Sequence, residues 1–94
     1  MPMFALNCID KPDSLALRLA TRPEHLAYMA TRPEIRLGGP YLNAAGEPVG
    51  SLIIVEMEDE AAVQAFTAAD PYNLAGLFAS VEIRGWRYSA GKLP

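Results

Sequence analysis

Apolar residues in this chain come in short bursts broken by proline, glycine and acidic residues, and the period of the bursts shifts between strand and helix. Met3 to Ile9 is apolar, aromatic and β-branched, bounded by Pro2 and the Asp10-Lys11-Pro12-Asp13 turn cluster, which predicts a buried first strand. Leu15 to Ala20 is made of good helix formers, with Asp13 or Ser14 as cap. Proline is tolerated in a first helical turn, so Pro23 predicts a broken helix whose second piece starts at Thr21 or Arg22 and runs to Thr31. That piece carries His25, Leu26 and Met29 at helical spacing. Pro33 ends it.

Ile35 to Leu42 reads as a strand kinked at Gly38-Gly39-Pro40, the sign of a bulge or an edge. Asn43 to Pro48 has the composition of a hairpin loop. Val49 to Glu58 is the strongest strand, and its centre, Leu52 to Val55, is apolar on both faces. Asp59 caps a helix from Glu60 to Ala69 with Ala62, Val63, Phe66 and Ala69 on one face, stopping at Asp70-Pro71. Tyr72 to Ser80 is a connector with helical content from Leu74 to Phe78, and Val81 to Ser89 is a last strand.

The predicted order, β-α-β-β-α-β, is the plan of an α+β, ferredoxin-like domain with a four-stranded antiparallel sheet. Residues 1–94 form one domain, since no linker, repeat or low-complexity tract divides them. Two helices cover one face of such a sheet, yet the third strand is apolar on both. The expectation is a homodimer that packs sheet face against sheet face, with Trp86 and Tyr88 at the interface.

Composition removes several classes. Eight basic residues are scattered and outnumbered by eleven acidic ones, giving a net charge of −3, so nucleic acid is not an expected partner. The longest apolar run falls far below the roughly 20 residues of a membrane helix, and no signal peptide opens the chain, so the expected location is the cytoplasm. One histidine and one cysteine supply neither a zinc site nor a disulfide, so no metal is expected. Cys8, inside an apolar strand, reads as a small buried hydrophobe.

One pair carries chemistry. His25 lies in the first helix and Asp70 ends the second; in this topology the two helices are neighbours, so the middle of one can meet the far end of the other. A carboxylate at a helix C-terminus faces the negative end of the dipole at a cost of about 0.3 to 1 kcal/mol, which a hydrogen-bonded imidazole would offset. An Asp–His pair facing a pocket suits general acid–base catalysis. The plainer alternative is a structural histidine beside an ordinary Asp-Pro helix stop.

At these residues a resemblance enters. Arg18-x3-Arg22-Pro23-x-His25-Leu26, Gly39-Pro40, Gly50-Ser51 before the apolar strand, and Ala69-Asp70-Pro71-Tyr72 followed by Ala75-Gly76 resemble the YciI-like family from about Met3 to Tyr88. The resemblance implies a dimeric α+β barrel, related to muconolactone isomerase-like enzymes and cofactor-free monooxygenases. It implies a His–Asp active-site pair at His25 and Asp70, and chemistry without metal or organic cofactor, as in a member that dehydrochlorinates a chlorinated hydroxyhydroquinone.

The expectation is therefore a lyase- or isomerase-type enzyme whose His–Asp dyad performs elimination, dehydrochlorination or isomerisation on a small cyclic or phenolic metabolite. A non-catalytic dimeric ligand-binding or regulatory module is the alternative, and a cofactor-free monooxygenase a further one. Candidate substrate-binding residues are Arg22, for an anionic or phenolate group, Gly39 and Pro40, for close backbone approach, and the hydroxyls of Ser51 and Tyr72. Each has a plain reading as well: a solvated arginine, an edge bulge, turn chemistry and packing.

Overall fold

Four strands and three helices follow in the order β1 (Met3–Asp10), α1 (Leu15–Ala30), β2 (Ile35–Leu42), β3 (Pro48–Glu56), α2 (Glu60–Ala69), α3 (Pro71–Leu74) and β4 (Phe78–Trp86). The structure, a computed structural model, describes residues 1–92. The strands form one antiparallel sheet in the order β2-β3-β1-β4, the ferredoxin-like arrangement expected from the sequence. β1 and β3 are central, with Leu6 opposite Ile53 and Phe4 opposite Val55. Among the described residues no helix is long and apolar enough to cross a membrane.

Period-two alternation divides the sheet. Leu6, Cys8, Ile53 and Val55 point to the helices and join Val63, Phe66, Tyr72 and Leu77 in the core. α1 packs on β3, α2 packs on β4, and α3 touches both helices. The other face carries Ala5, Leu37, Leu52, Ile54 and Trp86, alongside Tyr88 and Gly91 from the segment that follows β4. Among the described residues no helix packs on that face.

Several local details correct the sequence expectation. α1 is one continuous helix through Pro23, not two pieces. Pro23 is exposed, and the carbonyl it leaves without a donor belongs to Leu19, itself 53% exposed, so water can satisfy it. Ser14 occupies the N-cap position of α1 but makes no capping bond through its side chain. β2 is an edge strand, yet its irregularities flank the Gly38-Gly39-Pro40 segment, between Ile35 and Leu37 and between Tyr41 and Leu42. In α2 the buried face is Val63, Phe66 and Thr67, with Ala69 exposed.

The helical turn after α2 begins at Pro71 rather than Leu74. Pro71 has the φ of a first helical turn, and the Asp70 side chain caps it by accepting from the Tyr72 backbone N–H. β4 consequently starts at Phe78 and ends at Trp86, and β3 ends at Glu56.

Gly50 is buried on β3, between Ile9 of β1 and Tyr41 of β2. The Tyr41 ring lies across it and donates its hydroxyl to Asn7 Oδ1. A Cβ at position 50 would sit 2.5 Å from the Cys8 carbonyl oxygen and 3.1 Å from the Tyr41 ring. Gly50→Ala is therefore expected to destabilise the fold by about 1–3 kcal/mol, the range of overpacking changes, read as a lower midpoint in urea.

Candidate active site

α1 turns polar groups inward. Its buried residues are Arg18, Thr21 and His25, spaced three and four apart on one face. Leu17, Leu19 and Leu26 are 39%, 53% and 47% exposed. An amphipathic helix that only served packing would do the reverse. Burying polar groups costs free energy unless each is paired, and here each is. Thr21 Oγ1 donates to the Leu17 carbonyl at 2.8 Å. The other two reach across the molecule.

His25 Nδ1 lies 2.8 Å from Asp70 Oδ1. A carboxylate accepts, so Nδ1 is the donor of this bond, and in the neutral form of the ring the lone pair is then on Nε2. The same Asp70 oxygen accepts from the Tyr72 backbone N–H at 2.9 Å, which locks the carboxylate in place. Asp70 is thus the cap of α3 as well as the end of α2, and its backbone is extended, at φ −61° and ψ 127°. The helix-end conflict expected from the sequence is eased by two donors, one of them the N-terminal N–H of the next helix. α3, which α1 touches, is the element that brings Asp70 to His25.

The His25 ring stacks on Tyr72, with centroids 4.0 Å apart and planes 17° from parallel. The Arg18 guanidinium carbon sits 4.5 Å from the same ring centroid. Burial pushes the Tyr72 phenol up, so it stays protonated at neutral pH.

Arg18 donates through Nε to Asp10 Oδ2 at 2.6 Å and through Nη2 to Asp10 Oδ1 at 3.1 Å. Nη2 also donates to Ser51 Oγ at 2.9 Å. Burial opposes the charge on Arg18, but the hydrogen bond and charge of Asp10 outweigh it and raise its pKa. Sequence reasoning did not place Arg18 and Asp10 in the site. The available signal was the seven-residue spacing that puts Arg18 on the same helix face as His25.

These groups meet at a cleft of about 450 Å³ between α1 and the β2–β3 half of the sheet. Arg22, His25, Gly39, Pro40, Ser51 and Tyr72 all line it, while Asp70 stands behind His25. Apolar side chains, among them Leu26, Met29, Pro40 and Ile53, make the rest of the wall. Gly39 is not glycine for lack of room, since a Cβ there would meet nothing within 4 Å. Among the described residues no group of three or more His, Cys, Asp or Glu side chains is placed to hold a metal ion.

The profile of the YCII-related domain matches residues 3–87. The chain belongs to this family. Protein YciI of Escherichia coli O6:H1 (strain CFT073) is 33% identical over 97 residues, covering 90% of this chain and 96% of YciI. An uncharacterised Haemophilus influenzae protein is 29% identical, covering 89% of this chain and 95% of its own length.

Among solved structures, the YCII-related chain is similar to the 5-chloro-2-hydroxyhydroquinone dehydrochlorinase TftG of Burkholderia phenoliruptrix AC1100, in complex with 2,5-dihydroxybenzoquinone. The TM-score is 0.87 at 33% identity, over 93% of this chain and 95% of TftG. An antibiotic biosynthesis monooxygenase, at TM-score 0.58 and 14% identity over 96% of this chain and 100% of that one, shares the fold alone.

Cys8 lies in the core and is 1% exposed. Burial, and then the Asp70 charge, push its thiol up to about 12. The thiolate is the reactive form, so labelling of the native protein by iodoacetamide near pH 8 is expected to run on the order of 10³-fold slower than in the unfolded chain. The sign for stability follows: below the unfolded pKa both states hold the proton. As pH rises from about 9 towards about 12 the unfolded chain releases it first and stability falls. Native-state labelling as fast as in denaturant would contradict this environment.

Proposed function

We propose that this YCII-related protein is a small enzyme in which His25, oriented by Asp70, serves as general base or acid on a small cyclic or phenolic metabolite. The reaction class is proton removal that drives elimination, dehydrochlorination or isomerisation. The observation that carries this reading is the buried Nδ1–Asp70 bond of 2.8 Å on a histidine that lines an open cleft, because it leaves the other ring nitrogen, Nε2, for proton transfer with a ligand. The likeness to TftG supports the substrate class, and the mixed polar and apolar lining suits a flat ring bearing oxygens. A proton transfer of this kind asks for no change of oxidation state and so for no redox cofactor.

The test is chloride release from 5-chloro-2-hydroxyhydroquinone by the purified protein, with binding of 2,5-dihydroxybenzoquinone followed by its absorbance. Turnover, or tight binding with slow turnover, supports the class. No release and no binding removes it.

The protein is further proposed to be a homodimer joined through the sheet face opposite the helices, where Leu37, Leu52, Ile54 and Trp86 gather. Sedimentation at micromolar concentration should give twice the chain mass, and Leu52→Asp should give the single mass. A monomer in both would end this proposal.

A further inference from the structure

Among the described residues the Ser51 hydroxyl proton has no acceptor. A guanidinium has donors only, so in the 2.9 Å contact with Arg18 Nη2 the Ser51 Oγ must accept. Among the described residues Ser51 Oγ donates to nothing. Ser51 is 4% exposed and lines the cleft, so its proton reaches only what occupies that cleft, water or ligand. A ligand oxygen bearing negative charge is the stronger acceptor of the two and replaces that water.

We infer that Arg18 is a positioning residue of this site. Clamped by Asp10, it occupies a lone pair of Ser51 Oγ and turns the Ser51 hydroxyl into a donor for a ligand oxygen that carries or gains negative charge, a phenolate or enolate oxygen. The inference rests on the reading that the cleft takes a small cyclic ligand.

Its geometry is that of a second carboxylate-backed arm. His25 is backed by Asp70 and Arg18 by Asp10, and both side chains rest on the Tyr72 ring. The two residues stand seven positions apart on one face of α1, and their side chains converge on that ring beside the cleft. Chemically the arms are complementary. When His25 Nε2 takes a proton from a ligand C–H or O–H, the bonding pair moves onto the conjugated oxygen, and that oxygen receives the Ser51 hydrogen bond. In an elimination the pair then returns from oxygen to carbon and chloride departs with the electrons of its bond. The proton stays on His25, so atoms and electrons balance without an oxidant or co-reactant. Lysine could not replace Arg18 fully, because only a fork can serve both Asp10 oxygens and Ser51 at once.

The experiment uses 4-nitrophenol, whose neutral and ionised forms differ in absorbance, titrated into the intact protein on either side of the probe's own pKa. The phenolate is expected to bind about tenfold tighter than the phenol, the scale of one charge-assisted hydrogen bond. Ser51→Ala should abolish most of that preference, whereas Ser51→Thr, which keeps the hydroxyl, should retain it. Arg18→Lys should weaken the preference, and adding it to Ser51→Ala should cost no further preference, since both act through one hydroxyl. Each variant is compared with wild type at the same pH, so Asp10, Arg22, His25, Asp70 and Tyr72 around the cleft contribute equally. Preference retained in Ser51→Ala overturns the inference. So does a lower Tm in Arg18→Lys with the preference intact, which makes Arg18 structural only, and so does binding of neither form. His25→Ala should keep the preference, so a protein without turnover that still favours phenolate counts against the proposed activity and leaves this inference standing.

Discussion

Replacing His25 with alanine is expected to lower kcat on a turned-over substrate by about 10²–10⁴-fold, the usual contribution of a positioned general base. The chain has a single histidine, so no second imidazole stands ready to substitute. The other polar groups at the cleft are poor replacements at neutral pH: Tyr72 is held neutral by its burial, and Arg18 and Arg22 are cations. Asp70→Asn should cost less, about 10–100-fold. Asparagine remains a good cap for α3 and can still present an oxygen to Nδ1, but it removes the charge that steadies an imidazolium. The comparison therefore separates orientation from electrostatics. Both variants should melt near the wild-type temperature if the cap is kept, and circular dichroism with kcat measured on the same samples checks this. Equal kcat in wild type and both variants would take the pair out of the mechanism.

Asp10→Ala is expected to be the most destabilising of these substitutions, by about 3–5 kcal/mol, because it strands the Arg18 charge inside the protein. The two side chains are only 4% and 5% exposed, so the lost partner leaves most of the desolvation cost of the guanidinium without compensation. For a domain of this size each kcal/mol moves Tm by about 4–8 °C, so the melt should shift by well over 10 °C. Asp10→Leu combined with Arg18→Met removes both charges and should recover much of the loss, since a buried ion pair is often no better than apolar packing of similar volume. That double variant should nonetheless lose the phenolate preference attributed to Ser51. Stability and site chemistry are thereby read apart. Glu82→Ala, which breaks an exposed pair with Arg84, serves as the control and should change the melt little. An Asp10→Ala midpoint within a degree or two of wild type would show that Arg18 finds another partner.

Much of the architecture was legible because its causes are local. Strand and helix periods, the Asp59 cap that accepts from the Ala62 N–H, and the stop at Asp70-Pro71 each depend on residues within a few positions of one another. The two-sided apolar run Leu52 to Val55 fits a central strand with one face on the helices and an apolar face opposite them. The resemblance to the YciI-like family, carried by short runs around His25 and Asp70, reached the family to which the chain belongs.

Helix continuity at Pro23 was misread for the complementary reason. Proline costs a helix about 3 kcal/mol when only local terms count. Here Arg18, Thr21 and His25 are anchored on both sides of it, and the carbonyl it orphans lies toward solvent. Tertiary anchoring overrides the local penalty.

The site divides in the same way. By itself the sequence determined the order of elements, the one imidazole available and the acid that ends α2. Only the tertiary structure decided that α3 carries Asp70 to His25, 45 positions apart, and that Arg18 reaches Asp10 and, 33 positions away, Ser51. A hydrogen bond depends on distances of a few ångströms set by the packing of a helix on a sheet, and no periodicity along the chain encodes such distances.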